Sequence, residues 1–198
     1  MKGILALAVI GMVFFGTSVH AEESSQTEPL GYTPKILIAF FSKTNNTKAL
    51  AEQIQSLVGG DMFQVATKTP YPTGYRQTTR VARAELDNNE RPELAATISP
   101  EDMGKYDVVF LGYPTWWGTM PMAMFTFLEQ YDLSGKIIVP FCTHGGGGFG
   151  LGPSDIAKLS PNATILQGFS VRTGFLSFLE SRSRNDVADW LSGLGYIR

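Results

Sequence analysis

The chain has 198 residues, 43% hydrophobic and 17% charged, which is enough apolar material for one packed domain and too much for a disordered chain. A formal net charge of −2 excludes a nucleic-acid binder held by a broad basic face. Cys142 is the single cysteine, so no intramolecular disulfide can form, and no cluster of ligand residues points to a metal.

Lys2, the apolar run from Ile4 to Phe15 and the Val19-His20-Ala21 site predict a secretory signal peptide over residues 1–21, cleaved before Glu22. The run is short for a membrane span. There is no twin arginine, and no cysteine near the cleavage site for a lipid anchor. The mature protein is therefore expected to be exported, periplasmic or extracellular, with no stable membrane anchor. Residues 22–34 are mostly polar, hold Pro29, Gly31 and Pro34, and read as a flexible leader.

From residue 35 strands and helices alternate. Lys35 to Phe41 is a continuous apolar run, as a strand buried on both faces should be. Thr47 to Leu57 has apolar residues at helical spacing and stops at Gly59-Gly60. Met62 to Ala66 fits a second strand and Thr78 to Leu86 a helix. Asp87 to Lys105, with Pro92 and Pro100, reads as connector. Tyr106 to Gly112 is a third strand, and Pro121 to Tyr131 a helix with proline in its first turn. Lys136 to Cys142 is a fourth strand, Ser154 to Leu159 a short helix, Ala163 to Phe169 a fifth strand and Arg184 to Leu194 a closing helix. This alternation specifies an α/β fold, a doubly wound parallel sheet of five strands with helices on both faces. Ligands of such sheets bind beyond the carboxyl ends of the strands, where the strand order reverses.

Three loops lie at that edge. Ser42-Lys43-Thr44-Asn45-Asn46-Thr47 joins the first strand to a helix start, where free N–H groups and the positive dipole end can receive an anion. It is neither the triphosphate loop, which needs G-x-x-x-x-G-K-[ST], nor the G-x-G-x-x-G dinucleotide turn. Its neutral donors suit a phosphate monoester; they equally suit a polar turn with Asn46 or Thr47 as helix cap. Gly112-Tyr113-Pro114-Thr115-Trp116-Trp117-Gly118 puts two indoles in a turn, where one can stack on a flat heterocycle and the other pack the loop down. Thr143-His144-Gly145-Gly146-Gly147-Gly148 lets backbone line a ring edge, and His144 either stacks there or is an ordinary loop histidine. Thr69 to Tyr75 reads as a Pro-stiffened turn or a partner-facing lid. Cys142 closes an apolar run and reads as a buried hydrophobe rather than a redox thiol.

Taken together, the three loops resemble those of the flavodoxin-like family. Ser42-x-Thr44-x-Asn46-Thr47 matches its S-x-T-x-N-T phosphate loop, Gly112 to Gly118 its G-Y-P-x-W-W-G loop, and Thr143-His144-Gly145-Gly146 its third flavin-contacting loop. Arg91-Pro92-Glu93-Leu94 is similar to a stretch in one branch of the family. The likeness covers residues 35–197 and implies a flavodoxin-like FMN-binding domain over residues 35–198, with strand order 2-1-3-4-5. Carried over, it implies that Ser42, Thr44, Asn46 and Thr47 hold the FMN phosphate. Pro114, Thr115, Trp116, Trp117 and Gly118 would border the ribityl chain and ring, and Thr143, His144, Gly145 and Gly146 the ring's other side. The implied role is electron transfer with a redox partner protein or a small-molecule acceptor. The alternatives are an FMN-dependent NAD(P)H:quinone oxidoreductase and an interaction module without redox role. The chain departs from the usual carriers in its export signal, in lacking a strongly acidic surface, and in a glycine run where many place a stacking tyrosine.

Overall fold

The computed structural model describes residues 33–173 and 176–197. The expected signal peptide and the leader up to residue 32 lie outside the described residues. The described elements alternate. β1 (Ile36–Phe41) leads to α1 (Asn46–Val58), β2 (Asp61–Val65) to α2 (Tyr75–Asp87), and a short α3 (Pro100–Gly104) precedes β3 (Val108–Pro114). Then come α4 (Met122–Glu129), β4 (Ile137–His144), α5 (Gly152–Leu159), β5 (Thr164–Ile165), β6 (Phe169–Arg172) and α6 (Leu176–Gly193). The sheet runs β2-β1-β3-β4-β5, with β6 also on β4, and every strand pair is parallel. This is the expected doubly wound order.

Alternating side chains of the buried strands feed two cores. Leu37, Ala39, Phe41, Val109, Leu111 and Tyr113 point to one face, covered by α4 and α5 through residues such as Met124, Phe127 and Ile156. Ile36, Ile38, Phe40, Val108, Phe110 and Val139 point to the other, covered by α1 and α6 through Leu50, Ile54, Val187 and Leu191. Period-two alternation on strands buried on both sides requires this division.

The fifth strand departs from expectation: it is two short pieces, both on β4. Pro140 accounts for the break. The Leu166 N–H donates to Ile138 O at 2.9 Å, so the Ile138 main chain faces the last strand. Main-chain groups alternate sides along a strand, so residue 140 faces it too, and proline has no N–H to offer. Pairing stops after Ile138↔Ile165 and resumes at Phe141↔Phe169. The connector before β3 is also more ordered than expected. Ser99 caps α3 by accepting from the Asp102 N–H at 3.0 Å. The Arg91 guanidinium donates to both carboxylate oxygens of Glu129, at 2.6 and 2.7 Å, clamping the connector to the end of α4.

Gly112 marks where the sheet is tightest. A Cβ there would lie 2.2 Å from the Phe141 ring. Gly112→Ala is expected to lower unfolding stability by about 1–3 kcal/mol through overpacking. Gly104→Ala, whose Cβ would meet nothing within 4 Å, should change it by at most about 0.5 kcal/mol. Urea denaturation of the two variants reads the difference.

Candidate functional site

The carboxyl ends of β1, β3 and β4 converge at one edge of the sheet and open on a cleft of about 740 Å³, within the range of small-molecule sites, about 300–1,000 Å³. From the first loop, Thr44, Asn46 and Thr47 line it, with Lys43 beside them; from the second, Pro114, Thr115, Trp116 and Trp117; from the third, Thr143, His144 and Gly145. Ser42, Gly118 and Gly146 do not line it.

The helix start in the first loop is left open. Neither Asn46 nor Thr47 caps α1: the N-cap is Asn45, in the left-handed region at φ 62°, and it makes no side-chain capping bond. The first turn holds no acidic residue. Ser42 Oγ accepts from the Lys48 N–H at 3.2 Å and braces the loop from behind. The Lys48 N–H of the first turn is thus taken by Ser42, while the two ahead of it, those of Asn46 and Thr47, have no partner among the described residues and stand open to an anion. Thr47 is buried, and its hydroxyl is hydrogen-bonded to that of Thr143 at 2.9 Å, tying the first loop to the third.

The second loop ends in a two-residue turn. Trp116 N–H donates to Thr119 O at 2.8 Å and Thr119 N–H to Trp116 O at 3.1 Å, with Trp117 at φ 51° and Gly118 at φ 82°. Two positive φ angles define a type I′ turn, and a tryptophan there is unusual for its bulk. The two indoles divide as expected. Trp116 meets Phe41 and Tyr71 edge to face, at 5.3 and 5.2 Å, and packs against the core. Trp117 is 51% exposed, with its Nε1–H on Thr79 O at 3.0 Å.

The second and third loops are stitched together. Thr115 N–H donates to Thr143 O at 2.9 Å, Thr115 Oγ1 to Gly148 O at 2.6 Å, and Leu151 N–H to Gly118 O at 2.7 Å. Gly150 has to be glycine: it sits at φ +57° with its Cβ position 2.1 Å from Gly118 O. Gly146 N–H donates to His144 Nδ1 at 3.0 Å. Burial, and after it the neighbouring Arg172 cation, push the His144 pKa below its ordinary 6.5. Burial likewise pushes the Cys142 thiol up to about 11, which leaves it a packing residue.

Sequence reasoning missed one wall. Thr73, Tyr75, Thr78, Thr79 and Ala82 line the cleft from the start of α2, and Thr173 from the end of β6. The signal for the first was the row of small residues Thr78, Thr79 and Ala82 on one helical face. The 69–75 stretch is partly turn and partly wall. Tyr71 turns inward, donating to Glu85 Oε2 at 2.6 Å, whereas Tyr75 stands out at 83% exposure.

A family model described as Flavodoxin matches residues 35–194. Among solved structures, the chain is similar to a candidate flavoprotein from Bacteroides eggerthii DSM 20697, at 31% identity and TM-score 0.69, over 82% of this chain and 99% of that one. A candidate flavoprotein from Bacteroides uniformis ATCC 8492 has 23% identity and TM-score 0.69, over 81% and 99%. A flavoprotein in complex with FMN from Lactobacillus acidophilus NCFM has 20% identity and TM-score 0.57, over 70% and 93%. The last two likenesses are of fold.

The Thr47–Thr143 pair carries its own test. Thr143→Val leaves the Thr47 hydroxyl buried without its partner and should cost about 1–3 kcal/mol of stability in ligand-free protein. Adding Thr47→Val removes the orphaned hydroxyl and should recover a good part of that loss. A double-mutant cycle by chemical denaturation with strictly additive effects would show that the two hydroxyls are not coupled.

Proposed function

Because the chain belongs to the flavodoxin family, we propose that it acts as an exported, FMN-loaded electron carrier. The observation that carries the binding assignment is the open start of α1. A helix start whose Asn45 cap makes no side-chain bond, with no acid in its first turn and the neutral donors of Thr44, Asn46 and Thr47, faces a cleft large enough for a nucleotide. That donor set fits a phosphate monoester, and the fit is independent of the family's reputation.

The redox chemistry belongs to the bound FMN. What this chain supplies is position. The first-turn N–H groups with Thr44, Asn46 and Thr47 hold the phosphate, and Ser42 holds the loop in shape. Thr47, fixed by Thr143, keeps the phosphate position at a set distance from the third loop. Pro114, Thr115, Trp116 and Trp117 would form one side of the ring site, with Trp117 as the stacking face and Gly118 holding the loop behind them. Thr143, His144 and Gly145 would form the other, with Gly146 behind. His144 Nδ1 accepts from the Gly146 N–H, which leaves Nε2 as the nitrogen able to donate. No residue of the chain is required as acid or base. Export rests on Lys2, the Ile4–Phe15 run and the site ending at Ala21.

The purified protein is expected to be yellow, to begin at Glu22, and to take up FMN far more tightly than riboflavin, which lacks the phosphate. Thr44→Ala with Asn46→Ala should weaken FMN binding by about tenfold or more, since a hydrogen bond to a charged group contributes about 1.5–3 kcal/mol, and should leave riboflavin binding nearly unchanged. Fluorescence titration with both flavins reads this. Equal loss for both would remove the phosphate assignment, and NADPH-driven turnover of a quinone without a partner protein would replace the carrier with a reductase.

A further inference from the structure

The segments that enclose the cleft are free of negative charge. Residues 42–51, 69–84, 112–121 and 143–154 contain no aspartate or glutamate, in a chain whose formal net charge is −2. The same segments hold Lys43, Lys48, Arg76, Arg80 and Arg83, and Arg172 lies next to them in register with His144. The neighbouring acids are already engaged. Glu85 is buried against the Tyr71 hydroxyl, Asp155 accepts from Thr119 at 2.6 Å and pairs with Lys158, Glu52 pairs with Lys48, and Asp87 pairs with Arg83.

A bound phosphate does not account for the arginines. Arg76, Arg80 and Arg83 recur at helical spacing on the outer face of α2 and line a separate groove of about 480 Å³. That groove shares only Thr79 and Trp117 with the cleft. Arg83 lies over the Trp117 ring, 5.4 Å from its centre, and pairs with Asp87. Arg76 and Arg80 have no acidic partner among the described residues. Cations side by side on one helix face repel each other, and among the described residues no acid pairs with Arg76 or Arg80 to offset that.

Exposed apolar side chains stand near the cations. Tyr75 is 83% exposed, Trp117 51% and Leu151 63%, three of the five large hydrophobic side chains most open to solvent among the described residues. Tyr75 and Trp117 stand on the cleft wall, and the Leu151 N–H on Gly118 O holds Leu151 beside them. Exposed apolar side chains flanked by unpaired cations, Arg76 and Arg80, suit a protein-docking face.

We infer that the mouth of the cleft is the docking face for a partner protein that presents acidic residues around its own redox centre, with Arg76 and Arg80 meeting the acids and Tyr75 and Leu151 supplying the apolar contacts. The inference rests on the carrier reading above and names the kind of partner that reading leaves open. Charge complementarity favours a protein over a nucleotide here. The groove is shallow and open, and Arg83, which lines it, already covers the Trp117 face on that side.

The test uses the oxidised, FMN-loaded protein and two oxidised probes of opposite charge, an acidic [2Fe–2S] ferredoxin and the basic cytochrome c. Binding is read by titration calorimetry. The ferredoxin should bind at low salt, weaken about tenfold or more between about 20 mM and about 300 mM salt, and lose at least as much on Arg76→Glu with Arg80→Glu. Cytochrome c should bind the unaltered protein more weakly and the charge-reversed variant more tightly. Both arginines are exposed and outside the flavin site, so the variant should keep its FMN absorbance and affinity; these check the carrier reading separately. Three results would overturn the inference: preference for cytochrome c by the unaltered protein, ferredoxin binding indifferent to the two substitutions, or NADPH binding that the substitutions abolish, which would assign the groove to a nucleotide.

Discussion

One hydrogen bond joins the parts of this site that the chain keeps far apart in sequence. Thr47 and Thr143 are 96 residues apart, yet their hydroxyls meet at 2.9 Å in a buried position. Each side chain comes from a different layer, a helix start and the end of a central strand. Their contact fixes how far the anion-binding turn stands from the glycine-rich loop. A buried hydroxyl needs a partner, so the two loops cannot drift apart without leaving both orphaned. Thr115 and Gly118 extend the same logic, since their bonds to the third loop make three connections into one rigid rim.

The order of strands and helices was largely legible in the sequence, because strands buried on both faces read as unbroken apolar runs and amphipathic helices betray their period. Element ends were less so. β3 and β4 run on to Pro114 and His144, two residues beyond the apolar runs. The ladder continues there through main-chain bonds that side-chain hydrophobicity does not report. The split of the last strand had a visible cause in Pro140, but its meaning depends on which way residue 140 faces, and register is a tertiary fact.

The site was legible in proportion to how local its chemistry is. The anion turn and the paired indoles are each contained in one short loop, so their residues could be named directly. The α2 wall could not, because Thr78, Thr79 and Ala82 become wall residues only through the way α2 packs. Ser42, Gly118 and Gly146 were named as lining residues and stand one step behind. Ser42 and Gly118 hold loop shape through hydrogen bonds, and Gly146 orients His144. Neighbours of a ligand-facing residue share its motif without sharing its exposure.

The gap opposite Pro140 has a further bearing on how this protein behaves in a crowded solution. A sheet margin with an unbroken row of free main-chain groups is a template on which a stray chain can add itself. Here that margin is two fragments, of two and four residues, separated by an interruption opposite Pro140 of β4, which has no donor to offer. An incoming strand finds no continuous line to zip along, so the missing donor that shortens the native ladder also acts as a guard against self-association.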